Sequence, residues 1–450
     1  MSNEFREKAK NTNMKKYIIA YITLMSSVAY AQNPKLSLDD AINLGLQNRI
    51  ELKNQNLLIQ LAETEDDKIK AKWNPQINAT GDVRVNTQLQ QNILPFKFGQ
   101  NGIESGETVL KFGRTFVNTF GLQAEQKLFD ANKKIDQKIN LSQVDNQKNS
   151  LELQKINIKQ AITEAYYLAI FNKERLTYAQ DALDRANVNI KIAQVRLQNG
   201  TLLENDFKRF ELDVSNAKIA LTKALQDYEV SIENLAYQMN QKVESVEIAD
   251  NLANILKNSS TNIPIAYQQR PEILSEEISI RNFDLNLQKQ KIRNLPTVSA
   301  YANYTALQQN NSFNPFSKDT WFPFNYFGIK ANLLIFDGKQ SKLNERDLKI
   351  RQQINQNNIE KYKADFANEA RQAIKTLEQA KLDIAETQKN IDLAKQIFAT
   401  DKFRYEKGVL QFSDLKNAEF SLQNAENNYL SSVYNFLIAS IRYKKAVGGL

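Results

Sequence analysis

The side chains most used for proton transfer and metal binding are missing: the 450-residue chain has no His and no Cys. Disulfides, thiol chemistry, imidazole bases and most zinc or iron sites are thereby excluded. Carboxylates, amines and hydroxyls remain. The evident acid pairs, Asp66-Asp67 and Glu276-Glu277, fall in helical stretches and read as solvated faces. Gly338-Lys339-Gln340-Ser341 shares the end of a phosphate-binding loop, but Leu333 stands where that loop requires Gly. No nucleophile, base and orienting group come together in the pattern, so the chain reads as a non-enzyme with no cofactor and no bound metal.

The elements that would position any functional residue are duplicated. Residues 127–235 return at 335–443. Leu128-Phe129-Asp130 becomes Ile335-Phe336-Asp337, and Arg196, Gly200, Leu202, Asp206, Glu211, Asn216, Ala217 become Arg404, Gly408, Leu410, Asp414, Glu419, Asn424, Ala425. Upstream, Arg49-Ile50-Glu51-Leu52 is echoed by Arg270-Pro271-Glu272-Ile273, and Trp73-Asn74-Pro75 by Asn294-Leu295-Pro296. A helix–strand–strand–helix–helix unit has been doubled, and such units need partners to bury their faces. We divide the chain into residues 32–240 (first repeat), 241–268 (an inter-repeat, equatorial linker) and 269–450 (second repeat).

Residues 1–31 read as an export signal: Lys15-Lys16, an apolar stretch from Tyr17 to Met25, and the small-x-small site Ala29-Tyr30-Ala31. Met14 is the expected start, with 1–13 an upstream extension. The apolar run is shorter than the ~20 residues a spanning helix needs. The net charge of +8 falls to +5 without this segment, because Arg6, Lys8, Lys10, Lys15 and Lys16 there face only Glu4 and Glu7. The other charges are interspersed, which argues against a nucleic-acid partner.

Beyond the export signal the pattern is mainly helical. Ser37 with Asp39 and Asp40 predicts a capped helix start running to about Lys72. Residues 131–198 and 338–405 each run without proline, roughly 100 Å of helix at ~1.5 Å per residue. Leu176, Ala179, Leu183, Ala186, Ile190, Ala193 and Leu197 step by threes and fours, as do Ile384, Thr387, Ile391, Ala394 and Phe398. The returning helices repeat the pattern from Phe207 to Leu235 and from Leu415 to Tyr443. Such seams supercoil left-handedly.

Four strands interrupt the helices, expected at 76–88, 115–128, 297–308 and 323–336, each long enough to cross a bilayer when tilted. Loops at 89–114 and 309–322 join them, the second bearing Phe313, Phe316, Trp321 and Phe322, aromatics suited to a membrane interface. Val83, Phe120 and Phe327 are the expected lipid-facing residues. Four strands cannot close, and an open edge is not tolerated in lipid. A trimer would supply twelve strands and leave room for a lumen. The alternative is a soluble periplasmic coiled-coil scaffold.

The order of these features resembles the TolC-type outer-membrane efflux family over about residues 36–448. The resemblance rests on Leu36-Ser37-Leu38-Asp39-Asp40-Ala41-Ile42 with Asn48-Arg49-Ile50-Glu51-Leu52, on Pro75 and Pro296, on Phe129-Asp130 and Phe336-Asp337-Gly338, on Gly200 and Gly408, and on Ala446-Val447-Gly448. It implies a homotrimeric barrel in the outer membrane with a long periplasmic α-barrel, docked to an adaptor and an inner-membrane pump, serving drug efflux or type I secretion. By the same resemblance, Gly200-Thr201-Leu202 and Gly408-Val409-Leu410 are adaptor-contacting tips, with Leu202 and Leu410 as exposed contacts. Asp414 matches an aperture-lining position. Asn417 stands where family members often have a second acid. Tyr405 and Asp206 match positions that tether the hairpins when closed, although the basic partner expected near Leu410 is absent.

Overall fold

Ser37 caps the first helix as its sequence predicts: its hydroxyl accepts from the Asp40 amide, and the Asp40 carboxylate accepts from the Ser37 amide. The protein is described from a computed structural model covering residues 35–99, 102–243, 246–258, 263–317 and 320–450; the expected signal peptide at 1–31 lies outside them. Helix α1 (Leu38–Asn48) stops at Arg49, whose extended backbone (ψ 125°) splits the helix expected to reach Lys72, and α2 (Ile50–Ala71) resumes immediately. The duplication explains the break. In the second copy Arg270-Pro271 occupies the same place, and Pro271 is the first residue of a helix, where its missing N–H costs nothing. Both arginines reach the glutamate two residues on, Arg49 to Glu51 at 3.0 Å and Arg270 to Glu272 at 2.7 Å.

The remaining elements keep the duplicated order: β1 (Gln76–Val85), β2 (Gln90–Gly99), β3 (Gly102–Phe112), β4 (Phe116–Phe129), α3 (Lys133–Gln198), α4 (Glu204–Met239), α5 (Leu252–Asn258), α6 (Pro271–Lys291), β5 (Thr297–Asn310), β6 (Trp321–Asn332), α7 (Gln340–Glu406) and α8 (Phe412–Ala446). The chain forms two compact units that each draw on both repeats. One contains the strands and their flanking helical segments (58–148, 275–358), the other the remaining helices.

In the strand unit, β1-β4-β5-β6 form an antiparallel sheet in that order. Its register puts Val83 opposite Asn118, Phe120 opposite Gly81 and Ala306, and Phe327 opposite Ala302. Directly paired residues share a face, so Val83, Phe120 and Phe327 lie on one face with Ile77, Leu122, Tyr304 and Ile329. All seven are exposed. The opposite face carries Asn78, Asp82, Arg84, Gln123, Glu125, Asn303 and Lys330, together with the aromatic side chains Phe322, Phe324 and Tyr326 of β6. Pro323, which has no N–H for the ladder, sits on edge strand β6. At one end of the apolar face, Asn118 donates to Gln308 (2.7 Å) and Gln308 donates to the Asn314 carbonyl (2.8 Å), while Phe116 meets Phe313 and Phe120 meets Trp321.

The strands depart from expectation in two places. The stretch 89–114 is a hairpin, β2–β3, and not a loop. Its register shifts between Leu94 and Phe96, where Pro95 cannot donate; that bulge breaks the alternation by which a strand is recognised. Strand β6 ends at Asn332, short of 336, leaving Leu333, Ile335 and Phe336 exposed beyond it.

In the helical unit the seams are buried as spaced: Leu183, Ala186 and Ala193 on α3, Ile391, Ala394 and Phe398 on α7, and Leu415, Ala418, Leu422, Phe436, Ala439 and Tyr443 on α8. Thr387 and Ser432, both seam positions, share a hydrogen bond of 2.7 Å. The equatorial segment contributes a parallel bridge from Ile248 to Leu36, closed by Tyr166, whose hydroxyl contacts the Leu36 carbonyl (2.9 Å) and Asp250 (2.7 Å). Burial, with Asp250 beside it, pushes the Tyr166 hydroxyl far up, so it stays a neutral donor.

Candidate functional site

Each long helix ends in a turn built on glycine. Gly200 (φ 69°) and Gly408 (φ 79°) adopt the left-handed conformation. Thr201 N–H bonds the Arg196 carbonyl (2.9 Å) and Gly200 N–H the Leu197 carbonyl (3.0 Å); Val409 to Arg404 and Gly408 to Tyr405, both 3.0 Å, repeat the pair. These are Schellman caps, and they turn α3 into α4 and α7 into α8.

Beneath the turns lies a small core of Ala193, Phe210, Ala394, Phe398, Tyr405, Leu415, Ala418 and Leu422. Leu202 and Leu410 pack against it and are half-buried, contrary to the expectation that they are exposed contacts. The tight turns fold them back onto the aromatic cluster. The apolar side chains facing solvent are their neighbours Leu203 and Val409, each 74% exposed.

Of the four gate candidates, the structure buries one and leaves two open. Tyr405 is 2% exposed, its hydroxyl has no partner among the described residues, and burial raises its pKa. Asp206 makes no hydrogen bond to it. Instead Asp206 stands in the first turn of α4 near Arg209 (3.7 Å), and acts on Tyr405 only through space. The basic partner comes from the other hairpin: Arg196 lies over the Tyr405 ring, 4.3 Å from its centroid, and donates to the Tyr405 carbonyl. The duplicated pattern contains Arg196, but nothing in its spacing signals that role. Asp414 and Asn417 are exposed and three residues apart on α8, hence on one face, with exposed Phe420 one further turn along.

Sequence reasoning also missed five charged side chains between the hairpins: Arg185, Asp213, Lys416, Glu419 and Glu426. Their spacing resembles that of solvated helix faces, and only packing reveals that Glu419 and Glu426 are buried and the other three half-buried. Among the described residues no cluster of acidic side chains is placed to hold a metal ion, and no helix is long and apolar enough to cross a membrane.

Residues 262–449, which include the second of these turns and the buried charges of α8, match the family described as outer membrane efflux protein. No curated protein matches the chain in sequence. Its fold is similar to that of CusC (TM-score 0.70, 16% identity, 92% of each chain covered). It is likewise similar to the outer membrane protein VceC of Vibrio cholerae (0.65, 14%, 92% of this chain and 96% of that one) and the CmeC outer membrane channel of Campylobacter jejuni (0.67, 15%, 92% and 85%). The family match covers the second half of the chain, and these solved structures share its fold over nearly its whole length.

Proposed function

We propose that the protein is the outer-membrane channel of a tripartite efflux or type I secretion system, a passive conduit gated at its helical tips. The sheet carries this reading. Its four strands have membrane-spanning length, one face exposes Ile77, Val83, Phe120, Leu122, Phe327 and Ile329, the other is charged and polar on β1 and aromatic on β6, and among the described residues the edges β1 and β6 are unpaired. Three copies would give a closed twelve-stranded barrel with lipid outside and water within. A soluble scaffold would have no use for an exposed face of Val83, Phe120 and Phe327.

Asp414 is the proposed constriction. Three copies around an axis would form a carboxylate ring favouring cations, with Asn417 leaving that ring uncharged one turn on. Leu203 and Val409, flanking the glycine turns, are the proposed adaptor contacts. Fractionation tests the class: a detergent-requiring, heat-modifiable trimer in the outer membrane is expected, and release by osmotic shock would support the scaffold. In planar bilayers Asp414→Asn should lower cation selectivity and relieve block by multivalent cations. Deletion of the gene, read out by both drug susceptibility and the secreted proteome, separates efflux from secretion.

A further inference from the structure

The two hairpins are joined a second time, well above the tips, by buried charge. Arg185 of α3 lies between Glu419 (3.7 Å) and Glu426 (3.5 Å) of α8. Lys416 of α8 bridges Asp213 of α4 (3.1 Å) and Glu419 (3.0 Å). Glu419 is 2% and Glu426 6% exposed. Asp213, Lys416, Glu419 and Glu426 also line a cleft of about 600 Å³ whose other walls include Ala179, Ala182, Ala217 and Ala220, side chains too small to fill it.

Two cations thus pair with three carboxylates, of which Glu419 and Glu426 are buried and Asp213 is half-buried. Arg185 is loosely held: its Nε and one terminal nitrogen are buried without a hydrogen bond of good geometry, and its guanidinium rests near the Phe398 ring of α7 (5.9 Å). Buried ion pairs are weak as glue, but removing one partner strands the other in low dielectric. A contact of this kind sets an arrangement more than it adds stability.

We propose that Arg185 is a positioning residue that ties the α7–α8 hairpin to the α3–α4 hairpin through Glu419 and Glu426, and that this tie loosens as pH rises. The inference rests on the channel reading only for its consequence, opening of the conduit. Burial raises the pKa of Glu426, outweighing Arg185 and Lys395, while Asp181 pushes the same way. Burial also raises Asp213, against the pull of Lys416. Glu426 also acts on Tyr178 of α3, which burial pushes up to about 12 so that it stays neutral, and Arg175 of α3 lines the same cleft. The tied arrangement therefore holds more protons than one in which the hairpins part and Glu426 meets water. Its advantage is complete below the ordinary glutamate range and is lost as pH rises through the raised value, so alkalinity favours parting.

The absence of Cys allows a direct test on the full-length trimer. Spin labels at Val195→Cys on α3 and Phe403→Cys on α7, both exposed positions, report the distance between hairpins. It should lengthen between acidic and alkaline buffer, and Glu426→Gln, which keeps the shape but cannot ionise, should abolish the change. Arg185→Gln should lengthen it already at neutral pH, with Arg185→Lys restoring the shorter distance. In bilayers, in an Asp414→Asn background that silences the tip carboxylates, conductance should rise with pH in the parent and stay flat with Glu426→Gln. A distance that ignores pH in the parent, or responds equally in Glu426→Gln, overturns the tie. Distances that respond without any conductance overturn the channel reading and leave the tie standing.

Discussion

Tyr405, one of the proposed gate residues, is buried, yet its hydroxyl makes no hydrogen bond among the described residues. A buried hydroxyl without a partner stabilises nothing, so Tyr405→Phe should leave stability unchanged or raise it by about 1 kcal/mol, as thermal unfolding of the purified protein would show. Beside the shared apolar core, the polar contact that joins the hairpins at this level is Arg196 on the Tyr405 carbonyl and ring. Arg196→Ala is therefore expected to raise resting conductance, whereas Tyr405→Phe alone is not; the reverse ranking would restore the hydroxyl as the tether. Burial keeps the Tyr405 hydroxyl neutral at physiological pH, so it adds no pH dependence of its own. On the sheet, Phe120 provides the corresponding single-residue test. Its side chain shares a face with Val83 and Phe327, and Phe120→Arg should cost about 2–4 kcal/mol of folding into lipid if that face meets the hydrocarbon. Normal insertion of that variant would place the lipid on the other face.

Helices and strands differ in how far their sequences betray them. The long helices end within two residues of the expected positions because their heptad steps persist for many turns and glycine stops each one sharply. The seams are equally readable: small and large residues alternate in the same register in both copies, and the buried positions follow them. The ribbon β2–β3 is not readable, because Pro95 and the register shift beside it destroy period two, and glycines on both strands suggest a loop. The buried charges escape for another reason. Glu419 and Glu426 lie seven residues apart, two turns on one face, a spacing as common on solvated faces as on buried ones. The ribbon itself is dispensable for the main sheet. Asn86 N–H already bonds the Thr115 carbonyl (2.7 Å), and the Asn86 side-chain amide donates to the Arg114 carbonyl (2.8 Å), so the β1–β4 hairpin is closed before the ribbon begins. Replacing residues 88–113 with a two-residue Asn-Gly turn should preserve the four-stranded sheet and trimer assembly, measured by heat-modifiability on gels. Loss of the trimer would show that the ribbon takes part in assembly.

For the whole molecule, the decisive question is what covers the two edges of the sheet. Within one chain β1 and β6 are separated by β4 and β5, three strand spacings of ~4.8 Å, or roughly 14 Å. A disulfide spans at most about 7 Å between Cα atoms, so cysteines on β1 and β6 of one flat copy cannot meet. In a closed trimer the β1 of one copy must lie beside the β6 of the next. Arg84→Cys on the polar face of β1, combined in turn with Phe322→Cys, Phe324→Cys and Tyr326→Cys on the same face of β6, scans the unknown register two residues at a time. The native chain contributes no thiol to confuse the result. At least one pair should give a covalent trimer on a non-reducing denaturing gel, with dimer as the incomplete product, and the single-cysteine parents should stay monomeric there. The pair that reacts fixes the stagger between copies, and with it the tilt of the barrel. If none of the pairs links one copy to another, the edges are covered by something other than a second copy, and the twelve-stranded barrel falls with them.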